Sequence, residues 1–163
     1  MSQLIIGLGS NQGDRSRKLS LARGLCRQFY GPLLRVSPIY QTAAWGVEEQ
    51  PDFLNQVIIL ETELRPQTCL TTAMAIENLM GRVRRQHWGP RVIDVDLLYY
   101  DDQIIDSPDL VLPHPRIQER NFVLLPLADI AGELVDPKGA KTINQLLIES
   151  KDPLGVSLYA GPS

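Results

Sequence analysis

Short apolar runs and helical stripes alternate along the first two thirds of the chain. The run LIIGL at 4–8 is short enough for a buried strand, and the turn residues GSNQGD end it. Over 15–30, Leu19, Ala22, Leu25, Cys26 and Phe29 recur at helical spacing, and Gly31-Pro32 stops the stripe. LLRVSPIYQT reads as a strand in which Pro38, lacking an N–H, marks an edge or a bulge. A loop punctuated by glycine and proline, AAWGVEEQPDF, leads to a third strand, NQVIILETEL. Pro66 opens a second helix with Cys69, Ala73, Ile76 and Met80 on one face and Gly81 at its stop. The run VIDVDLLYY is a further strand, followed by a tight turn at Asp101-Asp102 and a short strand, QII.

This order of strand, helix, strand, strand, helix, strand predicts an α+β fold. It is the ferredoxin-like βαββαβ sandwich, with helices on one face of a mostly antiparallel sheet. The remainder, from SPDLVLPHPRIQERNFVLLPLADIAGEL onward, adds a long proline-containing loop and one or two short C-terminal helices. A connection that long within a domain is usually functional.

Composition narrows the chemistry. A chain of 163 residues, 44% hydrophobic and 21% charged, is the size of one globular domain spanning 1–163. No apolar run approaches the roughly 20 residues that span a bilayer, and the start, MSQLIIGLGSNQGD, has no basic region followed by a signal-like core. A cytoplasmic protein with no membrane partner is expected. Cys26 and Cys69 lie far apart in helix-like contexts, which favours buried thiols in a reducing compartment over a disulfide or a nucleophile. The net charge of −3 argues against a nucleic-acid surface. Arg82, Arg84, Arg85 and Arg91 therefore form a local device, suited to a small, highly charged anion.

The arginines precede Asp94 and Asp96. Aspartate is a poor strand former and costly to bury unpaired, so two of them in an apolar run call for a cationic partner. Residues i and i+2 of a strand share a face, about 7 Å apart. Val92, Ile93, Val95 and Leu97 flank the aspartates, so one side of the strand would face the core while the acidic pair faces outward into a cleft. Two such carboxylates can hold divalent ions against a polyphosphate. A bare D-x-D equally describes two solvated aspartates, but guanidinium groups beside metal-type carboxylates are recurring equipment of phosphoryl transfer. No G-x-x-x-x-G-K-[ST] loop is present.

GPRVIDVDLLYY preceded by GRVRRQHW, together with PHPRIQERNFVLLPL, QPDFLNQV and GLGSNQGD, resembles the 6-hydroxymethyl-7,8-dihydropterin pyrophosphokinases of folate biosynthesis. The resemblance covers almost the whole chain in order and leaves only the last dozen residues uninformative. It implies a ferredoxin-like fold and transfer of the β,γ-pyrophosphoryl group of the co-substrate ATP to the hydroxymethyl oxygen of the pterin, releasing AMP. By resemblance Asp94 and Asp96 would hold two Mg²⁺ ions. Arg82 and Arg91 would lie near the reacting groups, with Arg84 on a mobile loop and Glu77, His114 and Arg120 at ATP. Phe53 and Phe122 would sandwich the pterin, Asn55 would bond its polar edge, and Thr42, Ala44, Trp45 and Trp88 would complete that pocket. The loops AAWGVEEQ and RVRRQHW would act as lids that exclude water, and a monomer is expected.

Three positions depart from the family pattern. His87 stands where an arginine is usual, Ala43-Ala44 where proline is often found, and Phe53 where tyrosine also occurs. Taken singly, Phe53 and Phe122 could be ordinary core, His114 a turn residue and Trp45 a loop anchor. An RNA-binding ferredoxin-like module would need paired aromatics on a sheet strand and a basic surface, and neither is present. A Mg²⁺-dependent transferase or nuclease using the D-x-D on another substrate is the remaining alternative.

Overall fold

The computed structural model describes residues 1–42, 52–81 and 92–160. β1 (Ser2–Ser10) runs antiparallel between β4 (Phe53–Thr62) and β5 (Asp94–Tyr100). β2 (Leu33–Val36) and β3 (Tyr40–Thr42) both pair with β4, and β8 (Val156–Leu158) closes the far edge against β3. The sheet order is β5-β1-β4-β3-β8, with antiparallel pairing throughout the described residues. Helix α1 (Arg15–Phe29) connects β1 to β2, and α2 (Pro66–Leu79) connects β4 to β5. Each βαβ unit thus has a strand of the other inserted between its own, which is the ferredoxin-like arrangement expected.

Local signals set the helix ends. Asp14 caps α1 by accepting the Arg17 N–H at 3.2 Å, and Pro66 sits where a helix leaves its N–H unused anyway. Gly31, at φ 142°, admits no side chain, since a Cβ there would come 2.3 Å from the Glu61 carbonyl oxygen. Pro38 breaks the long strand expected over 33–42 into β2 and β3. Ser37 carries the sheet across the break: its N–H donates to Val57 O and its Oγ accepts the Val57 N–H, both at 2.9 Å.

The helices cover both faces of the sheet, not one. Leu19, Ala22 and Cys26 of α1 and Cys69, Ala73 and Ile76 of α2 pack with Leu4, Ile6, Leu8, Leu54 and Ile58. On the opposite face, α3 (Asn121–Ala131) and α4 (Ile143–Glu149) bring Val123, Leu124, Leu127, Ile143 and Leu146 onto Ile5, Val57, Ile59 and Leu98. The cause lies in β1 and β4, whose runs are apolar at both strand parities and so need cover on both sides. Phe29 is exposed, and Tyr30 takes the interior place expected for it, donating its hydroxyl to Cys69 O at 2.7 Å. The short strand expected at QII is β6 (Ile105–Asp106), which pairs with β7 (Val111–Leu112) in a separate ribbon. Cys26 and Cys69 are buried thiols, as expected.

Candidate active site

At one end of the second face, strand register decides which side chains stand together. Asp94 lies opposite Gly9 and Asp96 opposite Gly7. Gly9 in turn faces Asn55, and Asn55 faces Tyr40. Residues directly opposite in a sheet share a face, so Asp94, Gly9, Asn55 and Tyr40 form a row across four strands. With no side chain at Gly9, the row dips into a shallow trough between Asp94 of β5 and the amide of β4, while over Gly7 the Leu98 side chain closes in, 3.5 Å from where a Cβ would stand. It is narrow at its far wall, since a Cβ at Gly9 would meet Asn55 Oδ1 at 3.3 Å. Phe53, two residues before Asn55, extends the same face, and its cross-strand partner is the buried Thr42. Asn55 is 6% exposed, and its Nδ2 is buried without a hydrogen-bond partner among the described residues. A buried amide donor left open in this way is costly unless a ligand meets it.

The acidic pair sits on a strand whose outer edge is fastened twice. Glu77 of α2, 4% exposed, accepts the Val95 N–H at 2.9 Å, between the two aspartates. Further along, Leu98 O accepts the His114 N–H at 3.0 Å, so the proline-flanked segment 113–115 docks against β5. Asp94 is half-buried and Asp96 exposed, while Val95 and Leu97 turn into the α1–α2 layer.

His114 is tuned by its surroundings. Its Nδ1 accepts the Arg116 N–H at 3.2 Å, which leaves the ring proton on Nε2. Burial, and then the positive charges of Arg120 and Arg116, push its pKa down to about 4, so the ring is neutral near pH 7. Arg120 is pulled below its ordinary value by burial, with Asp96 the leading charge acting against that shift and Asp94 a lesser one. The guanidinium therefore lies within electrostatic reach of both carboxylates, and it also stands over the Phe122 ring, 5.5 Å from its centroid. Phe122, half-buried, opens the first turn of α3.

Of the residues expected at the site, Thr42, Phe53 and Asn55 come together at one end of the trough. Asp94, Asp96 and Arg120 come together at its side, with His114 and Phe122 adjoining through Arg120. Arg82, Arg84, Arg91, Ala44, Trp45 and Trp88, with His87 and both expected lids, lie outside the described residues. Sequence reasoning missed Gly9, over which the Asn55 amide comes close, and Gly7, over which Leu98 packs, although glycine inside a strand run signals a close approach. It also missed Asn121, whose buried Oδ1 has no partner among the described residues, and Asp152, which accepts the Asn121 N–H.

A family model described as 7,8-dihydro-6-hydroxymethylpterin-pyrophosphokinase (HPPK) matches residues 5–132. The chain belongs to this family. The match takes in the trough, the acidic strand and the His114–Phe122 segment, and stops before α4 and β8. The chain is 42% identical over 159 residues to the 2-amino-4-hydroxy-6-hydroxymethyldihydropteridine pyrophosphokinase of Methylorubrum extorquens, covering 96% of this chain and 98% of that one. The Bacillus subtilis protein of the same description is 42% identical over 130 residues, 79% of this chain and 78% of its own. Among solved structures, wild-type Plasmodium falciparum HPPK-DHPS with pteroate superposes with a TM-score of 0.72 at 16% identity. The superposition covers 90% of this chain and 42% of that longer one, and at that identity the likeness concerns the HPPK fold.

Proposed function

We propose that this pyrophosphokinase transfers the β,γ-pyrophosphoryl group of ATP to the hydroxymethyl oxygen of 6-hydroxymethyl-7,8-dihydropterin in folate biosynthesis. The observation that carries the reading is the cross-strand row. It sets Asp94, with Asp96 two residues on, on one side of Gly9 and an amide donor without a partner among the described residues on the other. In that row the polyphosphate lies over Asp94 and Asp96, and the pterin lies over Asn55 between the rings of Phe53 and Phe122. Thr42 supports the pterin end, with Ala44, Trp45 and Trp88 completing the pocket by resemblance.

Asp94 and Asp96 are hard anionic donors on one face, the donor type that Mg²⁺ takes. Among the described residues no cluster of three or more histidine, cysteine, aspartate or glutamate side chains forms an all-protein cage. That donor set suits two ions held jointly by aspartates, phosphate oxygens and water. When bound, such ions neutralise the triphosphate and acidify the attacking hydroxyl. Arg120 adds fixed positive charge beside the carboxylates, and the neutral His114 offers its Nε2–H to a phosphate oxygen. Arg82, Arg84 and Arg91 add further charge by resemblance to the family. The hydroxymethyl oxygen forms a bond to the β-phosphorus and gives up its proton to solvent as the bond from the β-phosphorus to the α-phosphate oxygen breaks, and AMP leaves. The chain's contribution is mainly positioning, which holds the two substrates in line. Glu77, with one carboxylate oxygen on the Val95 N–H, acts here by holding β5 in place.

Both apolar layers share one sheet, which supports 1–163 as a single domain, and we take it to act as a cytoplasmic monomer. No helix among the described residues is long and apolar enough to cross a membrane. The test uses ATP labelled at the γ-phosphate. The label should appear on the pterin, with AMP as the nucleotide product. Release of ADP would make the chain an ordinary kinase and overturn the reading.

A further inference from the structure

We infer that Asp152, beyond the family-matched region, is a positioning residue for the pterin side of the site. The inference rests on the reading that Phe53, Asn55 and Phe122 hold the pterin. The two rings belong to different elements: Phe53 to β4, and Phe122 to the first turn of α3. A flat ligand held between two rings needs their separation fixed; α3 already packs on β4 through Val123, Leu124 and Leu127, and a second tie holds its first residue.

The start of α3 lacks a local anchor. Its N-cap, Arg120, makes no side-chain capping hydrogen bond, although the first N–H groups of a helix have no partner within it. Asp152 supplies the cap from 31 residues away, its Oδ2 accepting the Asn121 N–H at 2.9 Å. A carboxylate at that end also meets the positive pole of the helix. The other oxygen, Oδ1, accepts the Leu154 N–H at 3.0 Å and shapes the turn that leads into β8. That turn is tied to the opposite wall. Gly155 O accepts the Thr42 hydroxyl at 3.2 Å, and Val156 pairs with Thr42, which itself pairs with Phe53. Tyr159 N–H donates to Ile39 O at 2.9 Å and holds the far end of β8. Residues 152–159 thus form a clasp from the helix that carries Phe122 to the strand beside Phe53.

The clasp makes a selective prediction. In Asp152→Ala, the dissociation constant for the hydroxymethyl pterin, measured by ligand fluorescence without ATP, should rise about tenfold, the scale of one lost charge-assisted hydrogen bond. The dissociation constant of a non-hydrolysable ATP analogue should rise by less, about threefold, because Asp94 and Asp96 lie on β5 at the other edge and only Arg120, next to Asn121, is shared between the clasp and the nucleotide side. Asp152→Asn, which keeps one acceptor oxygen, should recover part of the pterin affinity. Equal loss for both ligands would show general loosening and overturn the inference, as would unchanged pterin affinity. Hydrogen exchange without ligand reads the clasp separately: amides at 40–42 and 121–124 should exchange faster in Asp152→Ala. Unchanged exchange there would refute the clasp whatever the ligands do. Wild-type protein that shows no pterin binding would instead refute the functional reading.

Discussion

Asp94 and Asp96 are the residues of β5 that lie opposite glycine across the sheet, at Gly9 and Gly7. Their removal should be chemical and not structural. Asp96 is exposed and Asp94 half-buried, so exchanging either carboxylate for an amide of the same shape should change stability by only about 0.5 kcal/mol. The same exchange withdraws an anionic oxygen where a hard cation is proposed to sit. Asp94→Asn and Asp96→Asn should therefore lose transfer almost entirely while keeping wild-type denaturation curves. Wild-type turnover in either variant at saturating Mg²⁺ would remove the carboxylates from the mechanism. This pair was legible in the sequence because strand parity is a local property, and Val95 and Leu97 announce which side is core. Gly9 was harder to read. What it contributes is room for the Asn55 amide, whose Oδ1 would stand 3.3 Å from a Cβ there, and only the register between three strands reveals that.

At the scale of elements, local patterning served β1, α1, β4, α2 and β5 well, since each carries its own period and its own stop. It failed where the deciding contact is distant. The apolar runs LIIGL and VIIL fill both parities, so they could not say that a second helical layer covers the sheet. β8 is three residues long with two of them exposed, and it owes its place to β3 and to Asp152. Glu77 belongs with these cases: within α2 nothing sets it apart from the other polar residues, such as the adjacent Asn78, and its partner is 18 positions away. Glu77→Ala would leave the Val95 N–H buried without an acceptor, at a cost of about 1–3 kcal/mol. Since that N–H lies between the two aspartates, turnover should fall along with stability, and Glu77→Gln, which keeps a carbonyl oxygen, should restore most of both. Urea denaturation and turnover on the three proteins check this. A higher KM for ATP with unaltered stability in Glu77→Ala would place Glu77 at the nucleotide instead.

For the whole molecule, the site and the stability of the fold meet in His114. This ring lies where the segment after β7 docks on β5, and burial together with Arg120 and Arg116 lowers its pKa from the usual 6.5 to about 4. The folded protein therefore prefers the neutral ring. Above pH 6.5 the ring is neutral in both folded and unfolded chains and its contribution to stability is fully present. As pH falls from 6.5 towards 4, the unfolded chain takes up the proton first, and that contribution is progressively lost. The shift sets an upper bound of about 3 kcal/mol, and partial exposure to solvent reduces the expected loss to about 2 kcal/mol. Carboxylates titrate in the lower part of the same window, so the informative quantity is the difference between the wild type and His114→Gln. Denaturation free energies measured without ligands from pH 7.5 to 4 should fall more steeply in the wild type, with the difference opening below pH 6.5. Parallel curves would mean that His114 ionises with the same pKa in folded and unfolded chains. A ring with an ordinary pKa would be partly protonated near neutral pH, keeping its Nε2–H donor but losing Nδ1 as acceptor of the Arg116 N–H, and turnover would follow that titration.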